Sequence, residues 1–284
     1  MGLTKRETAL LLEIERWEDS MREDLRSDFG RTYDKWLNRK LNQLPGPLKE
    51  KFFGKLDDIL FHLHAFIQNS HVQQDARQQL LMTAKTFHEE IDQIEDLKKL
   101  SVDQLHYLSE LQLSKHRLYS FVQGGLAGTG GLLLMGIDLP AQMLLNLRAV
   151  QMTALSYGYE VNTPFEMMTS LKVYHAAILP KHLRYEQWAS LKEELQDSES
   201  HPFFYEGEDV FANQATLDHL VKQLVKVSAI SMLRKKMIGG IPLIGMAIGA
   251  GVNYQMTRQI TEFAHQYFRY RLLLEKKDSD HEFD

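Results

Sequence analysis

Leu10, Ile14, Trp17, Met21 and Leu25 recur every three or four residues behind Thr4-Lys-Arg-Glu7, a capping box, and so predict an N-terminal helix with one buried stripe. A second run holds Trp36, Leu37, Leu41 and Leu44 and stops at Pro45-Gly46-Pro47, a break that neither a helix nor a strand crosses. Residues 48–69 carry Phe52, Leu56, Ile59, Leu60, Leu63, Phe66 and Ile67 at helical spacing. A more polar helix follows with Leu80, Leu81, Ala84, Phe87, Ile91 and Ile94, and Ser101-x-x-Gln104 caps another. From Leu139 to Tyr157 the chain reads as an apolar helix stopped by Gly158. Thr163-Pro164-Phe-Glu166 combines an N-cap, a proline at the first helical position and a capping-box glutamate, and predicts a helix reaching towards Pro180. A short polar helix over 182–195, a loop over 196–207, and long helices over 213–236 and 254–274 complete the pattern. No alternating strand pattern interrupts it, so the chain is predicted to be an all-α, multi-helix bundle. The expected organisation is one domain over residues 1–275 and an acidic, flexible tail over 276–284.

Glycine is distributed unevenly across this pattern. Eleven of the 17 glycines fall within residues 118–137 and 237–256, two segments of 20 residues without a charge. Both contain the skeleton GG-x4-G-x5-G-[IV]-[DN], from Gly124 to Asp138 and from Gly239 to Asn253. Glycine inside a helix costs roughly 1 kcal/mol relative to alanine, so the pattern calls for an offset. Close helix approach through Gly124, Gly128, Gly136, Gly245, Gly249 and Gly251 supplies one, with the two segments paired against each other. The other reading is two helices that need glycine independently.

Length adds a membrane question, because 20 helical residues reach about 30 Å, the thickness of a hydrocarbon core. Lys115, His116 and Arg117 precede one segment and Arg234, Lys235 and Lys236 the other. Basic flanks suit a cytoplasmic leaflet rich in anionic lipid, and equally suit ordinary helix C-termini. Three readings remain open: buried core, reversible or partner-dependent membrane contact, and true spanning.

Composition narrows the chemistry. A net charge of -5 and a pI near 6.2 leave no electrostatic footprint for nucleic acid. The absence of cysteine removes disulfides, thiolate nucleophiles and thiolate metal sites. The opening Met-Gly-Leu-Thr-Lys-Arg-Glu-Thr holds no apolar signal region, so a cytoplasmic location is expected. None of the twelve histidines forms His-Glu-x-x-His, and His62 and His64 point to different helix faces, so no metal site is expected. Gly124 to Gly131 lacks the Gly-Lys-Ser/Thr ending of a P-loop, and no cofactor is expected either. Ala154-Leu-Ser156-Tyr-Gly158 imitates a nucleophile elbow, but it lies at a helix end. Three polar residues stand out. Asp138 reads either as a ligand-binding carboxylate or as the N-cap of a helix opening Leu139-Pro140, and Asn253 carries the same two readings. Arg148, within an apolar run, needs a partner or snorkels to solvent or headgroups.

Taken together, Trp17 in Glu-Arg-Trp-Glu, Gly136-Ile-Asp138-Leu-Pro140, Asn146-Leu-Arg148, Tyr157-Gly158, Ile241-Pro242-x-x-Gly245 and Gly249-Ala-Gly251-x-Asn253 resemble the EcsC family over roughly residues 5 to 275. That family takes its name from a bacterial protein encoded beside an ABC transporter linked to secretion. The resemblance implies a bacterial, cytoplasmic protein associated with an ABC transporter or a membrane; with the paired glycine segments and their basic flanks, the expectation is a non-enzymatic accessory protein, peripheral on anionic lipid at the inner face of the cell membrane. The resemblance supplies no catalytic residues. A hydrolase or lipid-processing enzyme, with a site near Asp138, Arg148 and Asn253, is the alternative.

Overall fold

A computed structural model describes residues 3–23, 74–127, 131–179, 181–200 and 242–278. Among these the regular structure is entirely helical. The elements are α1 (Lys5–Glu23), α2 (Gln74–Lys85), a 3-10 turn (Ile94–Lys99), α3 (Val102–Ala127), α4 (Gly131–Ser156), α5 (Pro164–Ile178), α6 (Lys181–Ser200) and α7 (Pro242–Asp278). The helices expected over 48–69 and 213–236, the turn at Pro45, and His62 and His64 lie outside the described residues.

The helix boundaries set by neighbouring residues form as their spacing predicts. Thr4 and Glu7 exchange hydrogen bonds in a full capping box, and Ser101 and Gln104 do the same. At α5 only half the box forms. Thr163 Oγ1 accepts from the Glu166 amide, while the Glu166 carboxylate turns away to Arg271 of α7. At the end of α4, Gly158 adopts φ +82°, Tyr159 N–H donates to the Ala154 carbonyl and Gly158 N–H to that of Leu155. This is a Schellman ending. It disposes of the elbow resemblance, since Ser156 is buried and donates back to the Met152 carbonyl.

Three boundaries differ from expectation. The polar helix expected to run through Ile94 ends at Lys85, because Asp96 accepts from the Asp92 and Gln93 amides and caps a separate 3-10 turn. Helix α6 continues to Ser200 through the segment expected to begin a loop at Gln196. Most consequential, α4 starts at Gly131 and α7 at Pro242, so Asp138 and Asn253 lie inside helices and cap neither. The uncharged run before Asp138 extends the helix backwards past the Asp-Leu-Pro sequence. Pro140 is then an interior proline, without the amide that would reach the Gly136 carbonyl. At the other end of the chain α7 runs to Asp278, and Lys276 pairs with Glu7 of α1 at 2.8 Å.

The centre of the molecule is α7, whose most extensive packing is with α3 and then α4. Cross-helix contacts fix the directions. His106 meets His265, Arg117 meets Thr261, Ser120 meets Thr257 and Phe121 meets Tyr254, so α3 runs antiparallel to α7. Gln142 meets Thr257 and Tyr157 meets His265, so α4 runs parallel to it. An aromatic layer holds α1 and α6 on the flank: Trp188 is fully buried against Trp17 and Phe263.

Candidate functional site

The directions of α3, α4 and α7 bring three helix ends to one pole: the C-terminal end of α3 and the N-terminal ends of α4 and α7. None carries a charge. No ionisable side chain occurs on α3 after Arg117 apart from Tyr119, on α4 before Asp138, or on α7 before Arg258 apart from Tyr254. The opposite pole is laced with ions, where Arg6 pairs with Asp103, Glu7 with Lys276, Lys98 with Glu275 and Arg271 with Glu166. Among the described residues charge is therefore segregated along the helix axes.

This geometry recasts the glycine stretches. The first is not one helix, since α3 ends at Ala127 and α4 begins at Gly131; the second joins α7 from Pro242 onward. Among the described residues no helix is long and apolar enough to cross a membrane. Gly124, Gly136, Gly245 and Gly249 lie within helices and Gly128 outside the described residues. Gly251 is exposed, and a Cβ built on it would meet nothing within 4 Å, so close helix approach is not what glycine provides there.

Between the poles a polar seam runs inside the α3–α4–α7 interface. On α7, Asn253, Thr257, Thr261, His265 and Arg269 recur every four residues and all are buried. At Thr257 the seam gathers Ser120 of α3 and Gln142 and Asn146 of α4. Thr257 Oγ1 donates to Asn146 Oδ1 at 2.8 Å, so Ser120 Oγ donates to Thr257 at 2.7 Å, and Gln142 Nε2 donates to both hydroxyl oxygens at 3.0 Å. Gln142 and Thr257 are 115 residues apart, the offset that relates Gly124 to Gly239. Each lies four residues beyond the repeated skeleton, which ends at Asp138 and at Asn253. Gln142 Oε1, Asn146 Nδ2 and Asn253 Nδ2 are buried with no hydrogen-bond partner.

Midway, Arg117 forks onto Glu110 and donates to Thr261. Further along, the rings of His106, His265 and Tyr157 meet. His265 bonds to His106 Nδ1, and Tyr157 Oη lies 3.0 Å from His265 Nδ1. Burial, then the His106, Arg269 and Arg117 charges, push the His265 pKa well below its ordinary value. Burial also lowers His106 against the opposing pull of Glu110 and Asp103, and raises Tyr157. The shifts of Tyr157 and His265 both oppose proton transfer between them.

Those shifts fix a pH dependence. Both imidazoles take up protons more readily in the unfolded chain, where the ordinary value is 6.5. Their contribution to stability is complete above that pH and is lost as pH falls below it, at up to about 1.4 kcal/mol per pH unit for each proton. Urea unfolding between pH 7.5 and 5.5 should show this slope in the native protein and a shallower one in the His106→Gln/His265→Gln double variant. An unchanged slope would contradict it.

The residues singled out by sequence are placed unevenly. Asn253 joins the seam one turn before Thr257 with its amide nitrogen unpaired. Arg148 is partly buried on α4 and has interactions of its own. The Asp138 backbone is helical, and its side chain lies outside the described residues. The groups that the structure brings together, Ser120, Gln142, Asn146, Thr257 and the His106–His265–Tyr157 trio, were missed. Thr257 and His265 fall on the four-residue spacing from Asn253 to Arg269, and Asn146 and Tyr157 stand in the motifs that carry the family resemblance, but nothing in the sequence brings Ser120, Gln142 or His106 to them.

Comparison with known proteins gives a coherent picture. The model of the EcsC protein family matches residues 8–273. The uncharacterized protein YdbA of Bacillus subtilis (strain 168) is 25% identical over 285 residues, covering 96% of each chain. No solved structure matches.

Proposed function

The chain belongs to the EcsC protein family, and on that premise we propose that it is a non-enzymatic accessory protein whose charge-free pole docks on the cytoplasmic face of a cell membrane, beside an ABC transporter. The observation that carries this reading is the segregation of charge: three helix ends without an ionic side chain converge at one pole while ion pairs crowd the other. A peripheral protein gains by presenting uncharged surface to the bilayer and keeping its charges in water. The family resemblance supports the transporter neighbour.

Gly251 provides a clean test. It is exposed with open space around it, so a side chain fits without displacing neighbours, and leaving glycine favours the helix. A carboxylate taken to the centre of a bilayer costs about 2.5–3.5 kcal/mol. At shallower depth Gly251→Glu should still weaken membrane partition about tenfold, while Gly251→Leu keeps it. In fractionated bacterial cells the native protein and Gly251→Leu should pellet with membranes and dissolve in detergent, with Gly251→Glu left in the supernatant. Equal distribution of all three would remove this reading.

The enzymatic alternative around Asp138, Arg148 and Asn253 draws on the unpaired Asn253 amide. The hydroxyls beside it, Ser120 and Thr257, are engaged with each other and with carboxamides. Carboxamides take no proton at neutral pH, so among the described residues these hydroxyls have no adjacent base to activate them.

A further inference from the structure

Helix α3 buries one face against α7 and α4 and exposes a second apolar stripe. Tyr107, Leu111, Ser114, Leu118 and Phe121 follow one another at intervals of four, three, four and three residues, the spacing of a coiled-coil seam. All five are exposed: Tyr107 is 55% accessible, Leu111 41%, Leu118 60% and Phe121 47%. The stripe spans about 21 Å of helix.

We propose that this stripe is a homodimer interface in which α3 packs antiparallel on α3 of a second copy of this chain, about a two-fold axis at Ser114. The stripe is nearly the same read in either direction. Tyr107 and Phe121 stand seven residues to either side of Ser114, Leu111 and Leu118 stand between, and the small Ser114 lies at the centre. An isologous contact requires such self-complementarity, because each residue must meet the counterpart of its own mirror position.

The flanking charges obey the same rule. Glu110 lies four residues before Ser114 and Arg117 three after, so an antiparallel copy sets each Glu110 beside the other copy's Arg117. The two intrachain Arg117–Glu110 pairs, at 2.8 Å, then form one alternating network. A groove of about 350 Å³ lies beside the stripe, lined by Ser114, Arg117, Leu118, Phe121 and Tyr254. It faces the position of the second copy's Tyr107, an aromatic knob opposite a hole. An anionic bilayer fits this stripe less well, because exposed Asp103 and half-buried Glu110 flank its Tyr107 end.

The test needs no lipid; because antiparallel packing sets each copy's ion-laced pole beside the other's charge-free pole, the dimer and the membrane-docked form are mutually exclusive states of the chain. Sedimentation velocity at micromolar concentration should give a dimer for the native chain. Leu118→Glu, which places two carboxylates in the seam, should weaken the dimer about 30-fold or more with helicity retained. The chain contains no cysteine, so Ser114→Cys should cross-link to a disulfide dimer across the axis on mild oxidation. Met82→Cys, on the exposed side of α2, should not. A monomeric native chain, or cross-linking no faster through Ser114→Cys than through Met82→Cys, would overturn the proposal.

Discussion

Arg271→Ala is expected to lower the unfolding free energy by about 3–5 kcal/mol, the range for breaking a buried ion pair from one side. Arg271 and Glu166 meet in a fork at 2.7 and 2.9 Å with side chains only 13% and 9% accessible. Burial opposes the guanidinium charge, yet Tyr159 and Glu166 hold its pKa above the ordinary value, and the group stacks 3.9 Å over the Tyr159 ring. Alanine removes the partner but leaves the Glu166 carboxylate in its buried place. Removing both charges, as Glu166→Gln/Arg271→Met, should recover most of the loss, since the desolvation cost leaves with them. Urea midpoints of the two variants and the native chain measure this. A loss below about 1 kcal/mol for Arg271→Ala would place the pair among surface ion pairs.

Trp188→Ala should cost a comparable amount, about 3–5 kcal/mol. Trp188 is fully buried, with ring centroids 5.0 Å from Trp17, 5.5 Å from Phe263 and 6.2 Å from Tyr270. It therefore joins α6 to both α1 and α7, and truncation opens a cavity shared by three helices. Its indole nitrogen makes no hydrogen bond, so Trp188→Phe loses volume but no polar partner and should cost markedly less. Equal losses for the two variants, read from urea unfolding, would show that ring packing is not the source of the stability.

What could be read from the sequence was local. Thr4-Glu7, Ser101-Gln104 and Gly158 act through neighbours three to five residues away, so their spacing was enough. Glu166 shows the limit, because its capping position is readable while its partner Arg271 is 105 residues distant. The cap readings of Asp138 and Asn253 failed for a related reason: a cap signature is only a cap if the helix does not already extend through it. The seam on α7 was legible as a spacing, but Ser120, Gln142 and His106 come to it from other helices by tertiary packing. The stripe on α3 was hidden differently. Periodicity marks Leu111 and Leu118 as apolar, and only the packed structure shows that they point away from α7.

Membrane docking is proposed through the charge-free pole. Flotation of the purified protein with vesicles of phosphatidylethanolamine and phosphatidylglycerol tests it most directly, comparing the native chain, Gly251→Leu and Gly251→Glu. The first two should rise with the vesicles and Gly251→Glu should stay behind, all three retaining native helicity. A native chain that remains at the bottom, or a Gly251→Glu variant that floats as well as Gly251→Leu, would contradict it.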